Sequence, residues 1–293
     1  MVSGRWAVKG GAGAGGILVT GTRRTTGPVR IAYDLLGSGP LIVFLHGIGG
    51  NRKNWARQLQ AFGDRYCAVA WDGRGYGESD DPPRQLRFSD FAEDLARLLD
   101  HLRAERAHLV GLSMGGMIVQ DFYGRYPTRV GTMSLVDTSV GLGAAPEEVR
   151  KDFLARRLSP LERGAKPADL APFVVETLVA AGAPASVRAE LAASMAALRP
   201  GPYSQALTAI VATDFRSLLP TISVPTLVVV GEEDRLTPPA AAEYLAANIA
   251  GAEKVVIEEA GHLTNIEQPE TFNRALGHFL DRFADRASRV SAP

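Results

Sequence analysis

The chain has 293 residues, and 46% of them are hydrophobic, which is enough to fill the core of one large α/β domain with a modest insertion. Its 32 basic and 32 acidic residues cancel, so no net charge favours a nucleic acid or an anionic membrane surface, and a small organic substrate is the expected partner. The single cysteine, Cys67, lies in an apolar run and excludes an internal disulfide and a cysteine-based metal site.

Residues 1–16 are rich in glycine, whose backbone entropy opposes order, and we interpret them as a flexible leader. Within them Gly11, Gly13 and Gly16 match the G-x-G-x-x-G pattern of dinucleotide sites, but neither the strand before that loop nor the helix after it is present. The N-terminus lacks the apolar core of a signal peptide, and no later run reaches membrane-spanning length. We therefore expect a cytoplasmic protein without a nucleotide cofactor and without a membrane partner.

From residue 17 onward, apolar runs alternate with amphipathic helices, which is typical of a mostly parallel, doubly wound sheet with helices on both faces. The runs are continuously apolar, as in strands that are buried on both faces. The strand candidates lie at 29–36, 41–46, 67–72, 107–113, 132–137, 226–231 and 254–258. The clearest helix follows Ser89, a candidate N-cap, and its core-facing stripe comprises Phe91, Leu95, Leu98, Leu99 and Leu102.

The strand pattern stops between Asp137 and Pro225. The sequence there is rich in alanine and arginine and is broken by prolines, which predicts several short helices. We interpret residues 139–218 as a helical cap inserted into the core. The α/β core itself is then formed by residues 17–138 and 219–286.

The sequence G-L-S-M-G at 111–115 stands directly after an apolar strand and directly before a helical stretch. In that setting a serine occupies a sharp, strained turn, and Gly111 and Gly115 relieve the crowding around it. The turn exposes the hydroxyl group of Ser113, which predicts a nucleophile. Taken alone, the motif is also compatible with a tight turn that merely needs small residues.

A serine hydroxyl is a weak nucleophile, and it needs a base whose tautomer is fixed by an acid. Asp234 and His262 each follow a late strand, and they come after Ser113 in the order serine, acid, histidine that this kind of site uses. We favour Asp234 as the acid for its place after a strand and the triad geometry that it would allow. The alternative acids are Glu232, Glu233 and Asp137.

The oxyanion formed during acyl transfer needs preorganised N–H donors. Met114, next to the nucleophile, is predicted to supply one, and Ile48 in the loop F-L-H-G-I-G-G-N at 44–51 the other. Gly47 lets this loop approach the substrate, and His46 is predicted to order the loop at the substrate site without acting as a base. No H-E-x-x-H or C-x-x-C motif is present, so no metal is expected.

Over residues 28–284 the chain resembles the α/β-hydrolase superfamily in five segments: F-L-H-G-I-G-G, W-D-G-R-G-Y-G-E-S-D, H-L-V-G-L-S-M-G-G-M, V-V-G-E-E-D-R-L-T-P-P and G-A-E-K-V-V-I-E-E-A-G-H-L-T-N-I-E-Q-P-E. The segment G-L-S-M-G-G at 111–116, the cap sequence at 200–216 and H-L-T-N-I-E at 262–267 are similar to the 3-oxoadipate enol-lactonases. This resemblance implies an α/β-hydrolase fold and an enzyme that opens an enol-lactone ring in aromatic catabolism. It also implies that Tyr203, in the cap sequence, contacts the substrate.

The early cap departs from that family, because it has no tryptophan followed by an arginine to meet the substrate carboxylate. The corresponding region reads P-E-E-V-R-K-D-F-L-A-R-R. Here we expect Phe153 to cover the substrate ring and either Arg156 or Arg157 to bind the carboxylate.

Together these features predict a serine hydrolase that cleaves a small carboxylic ester or a lactone through an acyl-enzyme, with 3-oxoadipate enol-lactone as the candidate substrate. Two other activities use the same fold: hydrolysis of a carbon–carbon bond and cofactor-free haloperoxidase chemistry. A third alternative is a ligand-sensing protein with slow turnover. The sequence carries no signal for the oligomeric state.

Overall fold

The computed structural model describes residues 21–143 and 145–291, so the predicted leader at 1–16 lies outside the described residues. This described part contains nine β-strands and ten α-helices. The strands are β1 (Arg23–Arg24), β2 (Ala32–Leu36), β3 (Gly39–Leu45), β4 (Cys67–Trp71), β5 (Ala107–Leu112), β6 (Val130–Val136), β7 (Thr226–Gly231), β8 (Glu253–Ile257) and β9 (Arg289–Val290). The helices are α1 (Ala56–Phe62), α2 (Ser89–His101), α3 (Met114–Arg125), α4 (Glu147–Glu162), α5 (Pro167–Leu178), α6 (Ala185–Ala196), α7 (Pro200–Ile210), α8 (Pro239–Asn248), α9 (Thr264–Glu267) and α10 (Pro269–Asp281).

The strands form one mixed sheet in the order β1-β2-β4-β3-β5-β6-β7-β8, with β9 paired to β3. Strands β3 to β8 run parallel to one another, whereas β1, β2 and β9 pair in antiparallel fashion. Strands β3 to β7 are buried along their whole length, as their continuous apolar runs predict. The predicted fold class is confirmed, and the seven predicted strands correspond to β2 to β8.

Helix α2 buries the apolar stripe that its spacing predicts. The expectation that Ser89 caps this helix is wrong, because Ser89 is already its first residue and its side chain accepts no hydrogen bond from the described backbone. Asp90 instead accepts the backbone N–H of Arg87 at 3.0 Å, which ties the incoming chain to the first turn. The incoming chain is thus held by the second helical residue.

Between β6 and β7 the described chain forms helices α4 to α7, all of which lie within the predicted cap at 139–218. Side chains from each of these helices line one cavity together with the loops that follow β3, β5 and β7. Because the carboxyl ends of parallel strands meet at one edge of a sheet, the cap covers that edge. Over residues 21–143 and 145–291, no helix combines the length and apolar character needed to cross a membrane.

Candidate active site

Ser113 stands at the turn between β5 and α3 with φ 54° and ψ −115°, a conformation that non-glycine residues rarely adopt. Glycine is required on both sides of it: a Cβ on Gly111 would lie 2.2 Å from the carbonyl oxygen of Gly115, and a Cβ on Gly115 would lie 2.2 Å from that of Leu45. The hydroxyl of Thr138 donates to the carbonyl oxygen of Ser113 at 2.7 Å. The strained serine is therefore held by close backbone packing and a hydrogen bond to its own peptide group.

Asp234 lies three residues beyond the end of β7, in a turn whose own N–H groups bind its carboxylate. The N–H groups of Leu236 and Thr237 donate to Oδ1 at 2.8 and 2.9 Å. The second oxygen, Oδ2, accepts the hydroxyl of Thr237 at 2.7 Å and lies 2.8 Å from Nδ1 of His262. Because Nδ1 carries the proton that it donates to Asp234, Nε2 is left as the acceptor nitrogen of the ring.

Opposite charges set the ionisation of this pair. Burial lowers the pKa of His262, but the charge and hydrogen bond of Asp234, followed by the charges of Asp137 and Glu267, outweigh burial and raise this pKa above its ordinary value. Burial raises the pKa of Asp234, but the charge of His262 and the hydrogen bonds from His262 and Thr237 lower it below its ordinary value. An imidazolium formed at His262 is therefore stabilised by an ionised partner.

Asp137, the alternative acid after β6, is buried beside this pair with φ 44°. Its Oδ1 accepts the N–H of Gly231 at 3.0 Å, and its Oδ2 accepts the N–H and the hydroxyl of Thr264 at 3.0 and 2.7 Å. Burial and repulsion from Asp234 raise the pKa of Asp137, against the attraction of His262. Asp137 thus joins the end of β7 to the histidine loop, while Asp234 is the acid bonded to Nδ1. The remaining alternatives are exposed at the surface: Glu232 and Glu233.

The two residues predicted to stabilise an oxyanion, Ile48 and Met114, both line the cavity at Ser113. Within the described chain, neither of their backbone N–H groups donates a hydrogen bond. A Cβ on Gly47 would lie 3.2 Å from the Cβ of Ser113 and 3.0 Å from a methyl group of Leu112, so glycine allows this loop to pass directly against the serine. The cavity wall that Ser113 shares thus includes two residues whose N–H groups have no partner in the described chain.

His46 lines the same cavity, but both of its ring nitrogens are already bound. The N–H of Gly73 donates to Nε2 at 3.0 Å, so Nδ1 carries the proton and donates to the carbonyl oxygen of Gly47 at 2.8 Å. Burial lowers the pKa of His46, against smaller opposing effects of Gly47 and Asp72, and the ring packs on Tyr76 at 4.8 Å between centroids. His46 is thus a neutral residue that orders the loop, and no ring nitrogen is free to act as a base.

The cavity has a volume of about 160 Å³ and a largely apolar wall, to which Ser113 and His262 contribute from the core. The cap contributes Phe153, Arg157 and Tyr203, each a predicted substrate contact. The guanidinium of Arg157 lies over the ring of Phe153 at 4.3 Å from its centroid, and Arg157 is only 8% exposed. The structure thus places one cation in the cap wall of the cavity. Within the described chain, no group of three or more His, Cys, Asp or Glu side chains could hold a metal ion.

Arg156 does not contribute to this cavity. Its side chain is 58% exposed, and its Nε donates to Oδ2 of Asp152, one turn earlier on α4, at 2.7 Å. Of these residues of α4, Phe153 and Arg157, four residues apart, line the cavity together. Of the two candidate arginines, Arg157 is the one at the cavity.

Thr237 is a site residue that the motif analysis missed. Its hydroxyl donates to Oδ2 of Asp234 at 2.7 Å and lies 3.2 Å from Nδ1 of His262, so it contacts both members of the pair. The signal was present in G-E-E-D-R-L-T-P-P, because a threonine three residues after an aspartate is placed to close a turn onto that carboxylate.

A parallel sheet whose carboxyl edge carries a strained serine and an aspartate-bound histidine beneath a helical cap defines the α/β-hydrolase class of enzymes. The chain belongs to the alpha/beta hydrolase family, whose family model matches residues 42–275. It is 30% identical over 263 residues to 3-oxoadipate enol-lactonase 2 of Acinetobacter baylyi, an alignment that covers 88% of this chain and 96% of that protein.

Two solved structures show how far the likeness extends in three dimensions. The enol-lactonase from Burkholderia xenovorans LB400 superposes with a TM-score of 0.76 at 27% identity and covers 86% of this chain and 97% of its own. A thermophilic esterase from Thermogutta terrifontis, solved with malate bound, superposes with a TM-score of 0.80 at 29% identity and covers 90% of this chain and all of its own. The predicted resemblance to α/β hydrolases of the enol-lactonase type is confirmed, and the chain is a hydrolase-family enzyme.

Proposed function

We propose that this protein is a serine hydrolase that cleaves a small carboxylic ester or lactone through an acyl-enzyme, with Ser113, Asp234 and His262 as its catalytic triad. The observation that carries the proposal is the 2.8 Å contact between Asp234 Oδ2 and His262 Nδ1. It fixes the tautomer that leaves Nε2 as a base, in the cavity that Ser113 also lines. The family and its esterase and lactonase relatives support the same activity.

In this mechanism Nε2 of His262 takes the hydroxyl proton of Ser113 as Oγ attacks the carbonyl carbon of the substrate. The negative charge that develops on the carbonyl oxygen is stabilised by the N–H groups of Ile48 and Met114. The imidazolium of His262 then protonates the leaving oxygen, which in a lactone stays attached to the acyl group. His262 next takes a proton from a water molecule that attacks the acyl-enzyme, and it returns this proton to Oγ of Ser113 as the carboxylic acid is released.

For the substrate we propose a lactone or ester that carries a free carboxylate, with 3-oxoadipate enol-lactone as the leading candidate. The support comes from Arg157, a nearly buried cation at the cavity that ion-pairs with no carboxylate among the described residues. A guanidinium binds a carboxylate through two parallel hydrogen bonds, and Phe153 beneath it provides an apolar surface for a ring. The 3-oxoadipate enol-lactonase of Acinetobacter baylyi, 30% identical to this chain, is consistent with this substrate class.

The direct test of the nucleophile is Ser113→Ala. We expect this variant to fold normally and to lose ester or lactone hydrolysis by roughly a million-fold, with His262→Ala comparable, because nucleophile and base act as one unit. A fluorophosphonate should label the wild type and leave Ser113→Ala unlabelled. Hydrolysis by purified Ser113→Ala within about tenfold of wild type would refute the assignment.

The reaction class is tested with a panel of aryl esters, lactones and vinylogous diketones. Turnover of esters and lactones alone supports the proposal. Preferential cleavage of the diketones would indicate a carbon–carbon bond hydrolase, and halogenation supported by peroxide would indicate a haloperoxidase. Tight binding with negligible turnover throughout would indicate a ligand-sensing protein.

A further inference from the structure

The segment H-L-T-N-I-E at 262–267 begins with the proposed base and ends with Glu267, a buried glutamate that the triad does not use. Its Oε1 accepts the N–H of Gly261 and the N–H of Leu263, both at 3.1 Å. Gly261 and Leu263 are the residues on either side of His262. One carboxylate oxygen therefore holds the backbone before and after the proposed base.

The same side chain reaches the cap. Its second oxygen, Oε2, accepts the N–H of Ala180, just beyond the end of α5, at 2.7 Å. The N–H of His262 donates to the carbonyl oxygen of Leu178 at 2.6 Å, so the histidine loop and this end of α5 are bonded in both directions. A Cβ on Gly261 would lie 2.4 Å from that same carbonyl oxygen, which leaves no space for a larger residue between loop and cap.

We propose that Glu267 is a positioning residue of the hydrolase: it holds His262 in place by binding the N–H groups on both sides of it and fastens this loop to the cap at Ala180. A buried carboxylate that accepts three N–H groups from two segments restricts both of them. The inference rests on the proposed role of His262 as the base. Among the described residues, Glu267 does not line the cavity, and its side chain hydrogen-bonds to backbone N–H groups and not to the side chains of the triad.

The negative charge of Glu267 can be tested separately from its packing, because the charge acts on the pKa of His262. His262 is faced by Asp234 from the loop after β7, by Asp137 from the end of β6 and by Glu267 from α9, and all three raise its pKa against the effect of burial. From the cap, Arg188 approaches the carbonyl oxygen of Ala180 at 3.4 Å. Removing the charge of Glu267 while keeping its shape should therefore lower the pKa of His262.

The chain offers a matched control in Glu233. Its Oε2 accepts the N–H of Ala181 at 2.9 Å, so it binds the same end of the cap, but among the described residues it makes no side-chain hydrogen bond to the backbone around His262. If Glu267 acted only by docking the cap, Glu233→Gln and Glu267→Gln would have similar effects. If it positions the base, only Glu267→Gln should change the chemical step.

The experiment compares wild type, Glu267→Gln, Glu267→Asp and Glu233→Gln by pH-dependent kinetics on p-nitrophenyl acetate and by NMR titration of the His262 imidazole. For Glu267→Gln we expect a loss of kcat on the order of tenfold to a hundredfold, because small displacements of a catalytic group carry such costs, and an NMR titration at lower pH than in wild type. Glu267→Asp keeps the charge on a shorter side chain, so it should lose kcat with a smaller change in the titration. It also serves as the test if Glu267→Gln does not fold.

The proposal is overturned if both Glu267 variants keep wild-type kcat, or if Glu233→Gln loses as much kcat as Glu267→Gln. It is also overturned if the His262 titration in Glu267→Gln matches that of wild type. The NMR measurement needs no substrate and therefore does not depend on the proposed hydrolase activity. If that activity is wrong, the wild-type protein will neither cleave esters nor react with a fluorophosphonate.

Discussion

Replacing Arg157 by methionine removes the cation from the cavity and keeps an unbranched chain to cover the ring of Phe153. Hydrogen bonds to a charged group contribute about 1.5 to 3 kcal/mol. Water screens this cation little, because Arg157 is only 8% exposed, so the full range applies. For a lactone that carries a carboxylate, we therefore expect kcat/KM to fall by about 10- to 160-fold.

The assay measures kcat and KM for an acidic lactone, for its uncharged methyl ester and for p-nitrophenyl acetate. Arg156→Met is the matched control, because this neighbouring arginine points to solvent and pairs with Asp152. The large fall in kcat/KM should be seen only for Arg157→Met acting on the acidic lactone. Equal losses on charged and uncharged substrates, or no loss on the acidic lactone, would refute a carboxylate-binding role for Arg157 and leave a general carboxylesterase.

Three further predictions concern the stability of the protein, the titration of His262 and the effect of a chelator. Arg157→Met should also raise the free energy of unfolding by about 1 kcal/mol and the melting temperature by about 2 to 4 °C. The reason is that a buried cation without a carboxylate partner in the described chain opposes folding. A lower melting temperature in calorimetry would contradict this prediction. Asp137→Asn removes a negative charge that raises the pKa of His262. The acid limb of the pH profile of kcat/KM should therefore move to lower pH. A limb that stays in place or moves to higher pH would exclude an effect of the Asp137 charge on His262. EDTA should leave the hydrolysis rate unchanged, because the proposed mechanism uses His262 as the base, and a loss that zinc reverses would show that a metal takes part.

The fold and the positions of the triad candidates could be predicted because their signals are local. Ser113 needs glycine within two residues on each side, and those glycines stand in the motif itself. Asp234 and His262 lie three and five residues beyond the ends of β7 and β8, so a correct strand assignment already places them at the same edge of the sheet.

The cap wall could not be resolved in the same way. Helix α4 carries charged residues around most of its circumference, so no apolar stripe marks its buried face and the sequence left Arg156 and Arg157 equivalent. The choice depends on how α4 packs over the core, which is a tertiary property. The partners of Glu267 were hidden for a related reason, because Ala180 is 87 residues away and offers only a backbone N–H group.

The bonds between the cap and the two proposed catalytic loops limit how a substrate can reach Ser113. Residues 176–181 bind the histidine loop through Leu178 and Ala180, and Arg235, next to Asp234, donates to the carbonyl oxygens of Glu176 and Val179 at 2.7 and 2.9 Å. A rigid-body displacement of the whole cap would break these bonds and separate the backbone N–H of His262 from the carbonyl oxygen of Leu178. Residues 176–181 are therefore expected to stay with the two loops when a substrate enters, and any opening of the cap has to involve its other segments.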